Sequence, residues 1–72
     1  MKIVRIVTIY NNTGDALASL VFNGGTLPLS CQELITNNGF NYSVRESILA
    51  EYPSEIISGV QATIVALGGG LK

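Results

Sequence analysis

The stretch Ser43–Pro53, SVRESILAEYP, carries helix signals at both ends. The Ser43 hydroxyl can accept a hydrogen bond from a free N–H of the first turn, and Glu46 can reach back to the Ser43 N–H, the pattern of a capping box. Val44, Ile48, Leu49 and Tyr52 recur at helical spacing as one apolar stripe, with Arg45, Glu46 and Glu51 facing outward. Pro53 disfavours α geometry at Tyr52 and sets the stop. Every other strongly apolar segment reads as strand. The spacing therefore predicts a short helix here, lying as a lid over a small sheet.

Lys2–Tyr10 (KIVRIVTIY) is rich in β-branched residues that suit a pleated surface. One face carries Ile3, Arg5, Val7 and Ile9, the other Val4, Ile6, Thr8 and Tyr10. Both are largely apolar, more than a strand covered on one side requires. Asn11–Asp15 (NNTGD) supplies turn formers, and Ala16–Phe22 (ALASLVF) completes a hairpin. Asn23-Gly24-Gly25 is a turn, and Thr26–Leu29 an extended edge or connection because of Pro28. Ser30 with Glu33 opens a second capping box, and Gly39 ends that short helix. Phe40 and Tyr42 then tuck into the edge of the core. Glu55-Ile56-Ile57 is a weak strand or turn, and Val60–Leu67 (VQATIVAL) the last strand, ended by Gly68-Gly69-Gly70. The order is β-β-α-α-β: an α+β domain over residues 1–72, with two short helices on one face of a mostly antiparallel sheet.

The chain has 72 residues, 12% of them charged, a formal net charge of −1, one cysteine and no histidine. That balance gives no electrostatic footprint for nucleic acid or an anionic membrane. A lone cysteine excludes an internal disulfide framework and leaves no ligand set for a metal, so no cofactor is expected. No segment approaches the ~20 apolar residues of a membrane-spanning helix. Arg5 interrupts the apolar start and no small-residue cleavage site follows, which favours a first strand over a signal peptide, so the chain is expected to be cytosolic.

Candidate chemistry is sparse. Cys31, beside Ser30 at a helix start, could gain thiolate character there, but a nucleophile needs a base and histidine is absent. Buried packing is the better reading. Glu33 and Glu46 belong to capping boxes, Asp15 to its turn, and Glu51 and Glu55 to solvated surface. Nothing makes an enzyme.

A first hairpin from residue 2, a helical middle, a later strand and a Gly-Gly near the C-terminus together resemble the ubiquitin-like β-grasp family, including its small bacterial members. FNGGTLP (22–28) and LAEYPSEI (49–56) are similar to segments of short plasmid- and phage-borne ubiquitin-like proteins. The resemblance implies a non-enzymatic role, either as a protein modifier joined through its terminal glycine or as a binding adaptor. Gly69 and Gly70 match the conjugating pair. Gly68, however, follows Leu67 without a spacer, Leu71-Lys72 would have to be removed, and the family has one longer helix where two short ones are expected here.

Two short helices cover one sheet face, yet all three expected strands are apolar on both. The uncovered face then predicts a surface for a protein partner, carried by Val4, Ile6, Thr8, Tyr10, Ala62, Ile64 and Ala66. The first expectation is a small ubiquitin-like interaction module binding through a sheet face or edge. The alternative is a self-assembling structural protein, a homo-oligomer or viral assembly subunit.

Overall fold

The structure, a computed structural model, describes residues 2–23, 26–49 and 56–70. Strand β1 (Lys2–Tyr10) and strand β2 (Ala16–Phe22) form the expected antiparallel hairpin. Its loop is organised by Asn11, whose Oδ1 accepts from Thr13 N–H at 3.0 Å, Thr13 Oγ1 at 2.8 Å and Asp15 N–H at 2.9 Å. An Asn side chain that mimics a backbone turn is why such residues cluster there.

Helix α1 spans Leu29–Asn37, strand β3 Asn41–Leu49 and helix α2 Ile56–Ala66. The sheet order is β2-β1-β3, with β1 antiparallel to both neighbours. Since β2 and β3 run the same way with β1 between them, β2-α1-β3 is a split β-α-β unit. The molecule is thus α+β with both helices on one sheet face, but its order is β-β-α-β-α rather than β-β-α-α-β.

That difference is two exchanges. The expected helix at Ser43–Pro53 is strand β3 as far as Leu49, and residues 50–55 lie outside the described part. Neither capping-box partner caps: the Ser43 hydroxyl shares a hydrogen bond with Tyr10 OH at 3.2 Å, and Glu46 pairs with Arg5 at 3.3 Å. Tyr42, Val44, Glu46 and Ile48 alternate with Ser43, Arg45 and Ser47, a period of two that the helical stripe masked. A helix of ten residues is marginal alone. Strand geometry instead satisfies the second edge of β1 over nine rungs, from Lys2 opposite Leu49 to Tyr10 opposite Asn41.

The converse exchange is at Val60–Leu67, the expected last strand, which belongs to helix α2, as do Ile56 and Ile57. Val60 and Ile64 are buried, with Ile56 and Leu67 packed beside them, an i, i+4, i+8, i+11 stripe. Six β-branched residues and Gly59 in IISGVQATIVA lower its helix propensity, and burial of that stripe overrides the deficit. Gly68 then ends a helix, not a strand.

Both helices close alike. Gly39 (φ +82°) follows Asn38, with Phe40 N–H donating to Ile35 O at 3.1 Å and Gly39 N–H to Thr36 O at 3.0 Å. Gly68 (φ +87°) does the same, with Gly69 N–H on Ile64 O at 2.9 Å and Gly68 N–H on Val65 O at 3.0 Å. These are Schellman caps, and the left-handed backbone they require is the reason for glycine. At its start, α1 departs from expectation. Pro28 is the N-cap, its carbonyl accepting from Cys31 and Gln32 N–H, and the Ser30–Glu33 box does not form.

The core lies between sheet and helices. Val7, Ile9 and Phe22 meet Leu27, Cys31, Leu34 and Ile35 from the α1 region and Val60 and Ile64 from α2. Phe40 and Tyr42 pack at its edge, as expected. Helix α2 rests against α1 and β2, while α1 leans toward β3. So α2 stands over the β2 side of the sheet.

Candidate interaction surface

The register puts Val4, Ile6, Thr8 and Tyr10 together on the face away from the helices. Thr8 Oγ1 and Ser19 Oγ lie 3.1 Å apart there, as neighbours across β1 and β2. This face is not a free apolar surface, however, since Val4, Ile6 and Thr8 are all buried. Ala62, Ile64 and Ala66 are not on the sheet at all. Expected as one strand face, they lie on α2, where a period of 3.6 separates them: Ile64 points into the core while Ala62 and Ala66 are exposed.

Accessible apolar residues lie elsewhere: Leu17, Leu29 and Val44 are exposed, and so are two further groups. Ile3 (67% exposed) and Ile48 (58%) sit opposite each other across β1 and β3, beside the Arg5–Glu46 pair. That exposed ion pair contributes about 0–1 kcal/mol. The second place is the outer side of α2, where Ile57 (46%) and Val65 (53%) flank a shallow groove of about 490 Å³ lined by Ser58, Gln61, Ala62, Val65 and Ala66.

Charge separates the two ends of the molecule. Strand β3, one sheet edge, carries Arg45 and Glu46, the kind of residues that discourage edge-to-edge pairing. Strand β2, the other edge, has seven residues and not one ionisable side chain, nor a proline. The eleven residues of α2 have none either. An outer helix face is ordinarily where charge collects. Among the described residues the β2 edge and the α2 face above it therefore form one side wall without charge, and the ionisable groups lie on β1, β3, α1 and the hairpin loop. Sequence reasoning missed this wall because it had α2 as a strand, although the absence of charge from both segments was legible.

Gly69 and Gly70 do not form a free extension here. Asn38 Nδ2 donates to Leu34 O at 2.8 Å and Gly70 O at 2.9 Å, and Gly70 N–H donates to Asn38 Oδ1 at 2.9 Å. A Cβ at Gly69 would lie 2.7 Å from Ile64 Cγ2 and 2.9 Å from Asn38 Oδ1, so glycine is required by close approach. Leu71 and Lys72 lie outside the described residues.

Cys31 is buried in the core, and burial pushes its thiol up from the ordinary range, against a smaller downward pull from a hydrogen bond with Ser30. A small maleimide should label Cys31 only after denaturant unfolds the chain, and rapid labelling in native buffer would show an accessible thiolate instead. Among the described residues no three metal-ligating side chains gather, and no helix is long and apolar enough to cross a membrane. The other expected carboxylates are apart: Glu33 is exposed on α1, Asp15 accepts from Thr13 in the hairpin loop, and Glu51 and Glu55 lie outside the described residues.

No family model matches this chain, and neither a curated protein nor a solved structure does.

Proposed function

We propose that this chain is a small non-enzymatic interaction module that meets a protein partner along the side wall made by the β2 edge and the outer face of α2. The observation that carries this reading is the coincidence of two neutral surfaces, a seven-residue strand edge and an eleven-residue helix, on the same side of a chain whose described charges lie elsewhere. A strand edge without charge or proline offers a row of backbone donors and acceptors to another chain. The partner surface expected from sequence thus moves from a sheet face to a sheet edge.

The ubiquitin-like β-grasp outline belongs to this proposal, supported by an opening hairpin whose sheet is covered by helix on one face. Within it, a binding adaptor is favoured over a conjugated modifier, because the backbone N–H and C=O of Gly70 are both held by Asn38. The cytosolic setting is part of the same reading, supported by a free buried thiol.

A photo-crosslinking side chain placed at Leu17 or Ala62, on the wall, should capture a protein in the native host cell. The same group at Glu33, exposed on α1, should not. Equal yields from all three positions, or none from the wall, would refute the assignment.

A further inference from the structure

We infer that the Asn38-Gly39 pair is a self-modification site guarded by the chain's own Gly69-Gly70 segment, and that conversion of Asn38 to aspartate or isoaspartate releases that segment for good. This goes beyond the wall reading and does not rest on it.

In an Asn-Gly pair the glycine nitrogen can attack the asparagine Cγ, because no β-carbon on the glycine hinders the approach. A bond forms between Gly39 N and Asn38 Cγ, the Cγ–Nδ2 bond breaks, and Nδ2 leaves as ammonia with the proton from Gly39 N. Water then opens the five-membered imide at either carbonyl, giving aspartate or isoaspartate. The sequence has two such pairs, Asn23-Gly24 and Asn38-Gly39. Crowding does not protect the second, since a Cβ built on Gly39 would meet nothing within 4 Å. Geometry does. Ring closure needs Gly39 N on the same side of the Asn38 Cα–C bond as Cβ, whereas at ψ 8° it lies beside Asn38's own nitrogen. Gly39 N–H is also held by Thr36 O at 3.0 Å.

The last turn of a helix ordinarily frays, and fraying alone would relax this geometry. Here the turn is held from outside. Asn38 Nδ2, the leaving group, donates to Leu34 O at 2.8 Å and Gly70 O at 2.9 Å, and Asn38 Oδ1 accepts from Gly70 N–H at 2.9 Å. Two of the three bonds are to Gly70, so the side chain turns toward Gly39 only once Gly70 has let go. Gly69 carries hydrogen where a Cβ would stand 2.7 Å from Ile64 Cγ2 and 2.9 Å from Asn38 Oδ1, which lets the segment close over Asn38. The rate of conversion therefore tracks the fraction of molecules in which this clamp is open. Refolding does not reverse the step, because ammonia is lost. Aspartate at this position sets a carboxylate against Leu34 O and Gly70 O, and isoaspartate adds a backbone methylene that moves Gly39 out of its cap. Either product leaves Gly70 unheld.

The test follows Asn38 and Asn23 separately, by peptide mass and chromatography, in the purified full chain aged in mildly alkaline buffer. Variants are checked for folding by circular dichroism. In the folded wild type Asn38 should convert ~10-fold or more slowly than in the same chain in urea, the protection that a set of hydrogen bonds confers. Gly69→Ala, whose Cβ drives the segment off Asn38, should remove most of that protection while leaving conversion of Asn23 unchanged. Gly70→Pro deletes the donor to Asn38 Oδ1 without crowding Ile64, and should act in the same direction. Val7→Ala weakens the buried core without touching the clamp, and should leave Asn38 protected. Converted chain, separated from the rest, should exchange its Gly70 amide many-fold faster. Equal conversion in folded and urea-unfolded chain overturns the proposal, as does an Asn38 no faster in Gly69→Ala and Gly70→Pro than in wild type. A Val7→Ala effect as large as that of Gly69→Ala would place the protection in the whole fold and overturn it too. Converted chain that exchanges its Gly70 amide as slowly as before would sink the release.

Discussion

Ile64→Ala is expected to lower stability by about 2–5 kcal/mol, a large part of what a domain of this size has in total. Ile64 is fully buried among the residues of the core cluster, and truncation leaves a cavity that neighbouring helices and sheet cannot fully close. At ~4–8 °C per kcal/mol, the thermal midpoint should fall by roughly 10 °C or more. Ile64→Asp should abolish the fold outright. The comparison that matters is with Ala62→Glu. On a strand, residues 62 and 64 share a face and would suffer alike. On α2 they point apart, so Ala62→Glu should keep the far-ultraviolet signal of the folded chain. Equal loss from both substitutions would return Val60–Leu67 to a strand.

Asn38→Ala should cost about 1–3 kcal/mol and loosen the C-terminal end. One side chain ties the last turn of α1 to Gly70 through three hydrogen bonds of 2.8–2.9 Å, linking the C-caps of the two helices. Its loss leaves the Leu34 and Gly70 carbonyls and the Gly70 N–H to water or to nothing. The urea midpoint should fall, and the Gly70 amide should exchange with solvent many-fold faster. Asn38→Asp is a sharper probe. It keeps an acceptor for the Gly70 N–H but sets a carboxylate against two carbonyl oxygens, so it should be no better than alanine. Unchanged Gly70 exchange in both variants would mean that the clamp does not hold the end. If it does hold, conjugation through Gly69 and Gly70 would first require these bonds to open.

The two errors of sequence reading have one origin. Ser43–Leu49 and Val60–Leu67 are both short and apolar, and each fits two periods. In the first, a Ser and a Glu three residues apart made a capping box by coincidence, and the partners they meet, Tyr10 and Arg5, are more than thirty residues away in the chain. In the second, β-branched residues argued for a strand, while the stronger signal ran from Ile56 through Val60 and Ile64 to Leu67, with a left-handed Gly68 after it. Gly59, a residue of low helix propensity, interrupts that pattern in the sequence, and it sits inside the helix. Of the candidate surface, the absence of charge in β2 and α2 was legible, but not that the two segments stand on the same side.

What the sequence determined by itself is local. The hairpin from Lys2 to Phe22 follows from two strand-forming runs around a loop of turn residues, and its bounds and pairing are those expected. The stop of α1 at Gly39 follows from backbone geometry that favours glycine. What only the tertiary structure decided is the identity of the third strand and the second helix. The second edge of β1 needed a partner for its backbone donors and acceptors, and the open helix side of Val7, Ile9 and Phe22 needed an apolar stripe to cover it. Each ambiguous segment took the conformation that met one of those needs, because in segments of nine and eleven residues intrinsic propensity is weaker than the burial and pairing that a neighbour supplies.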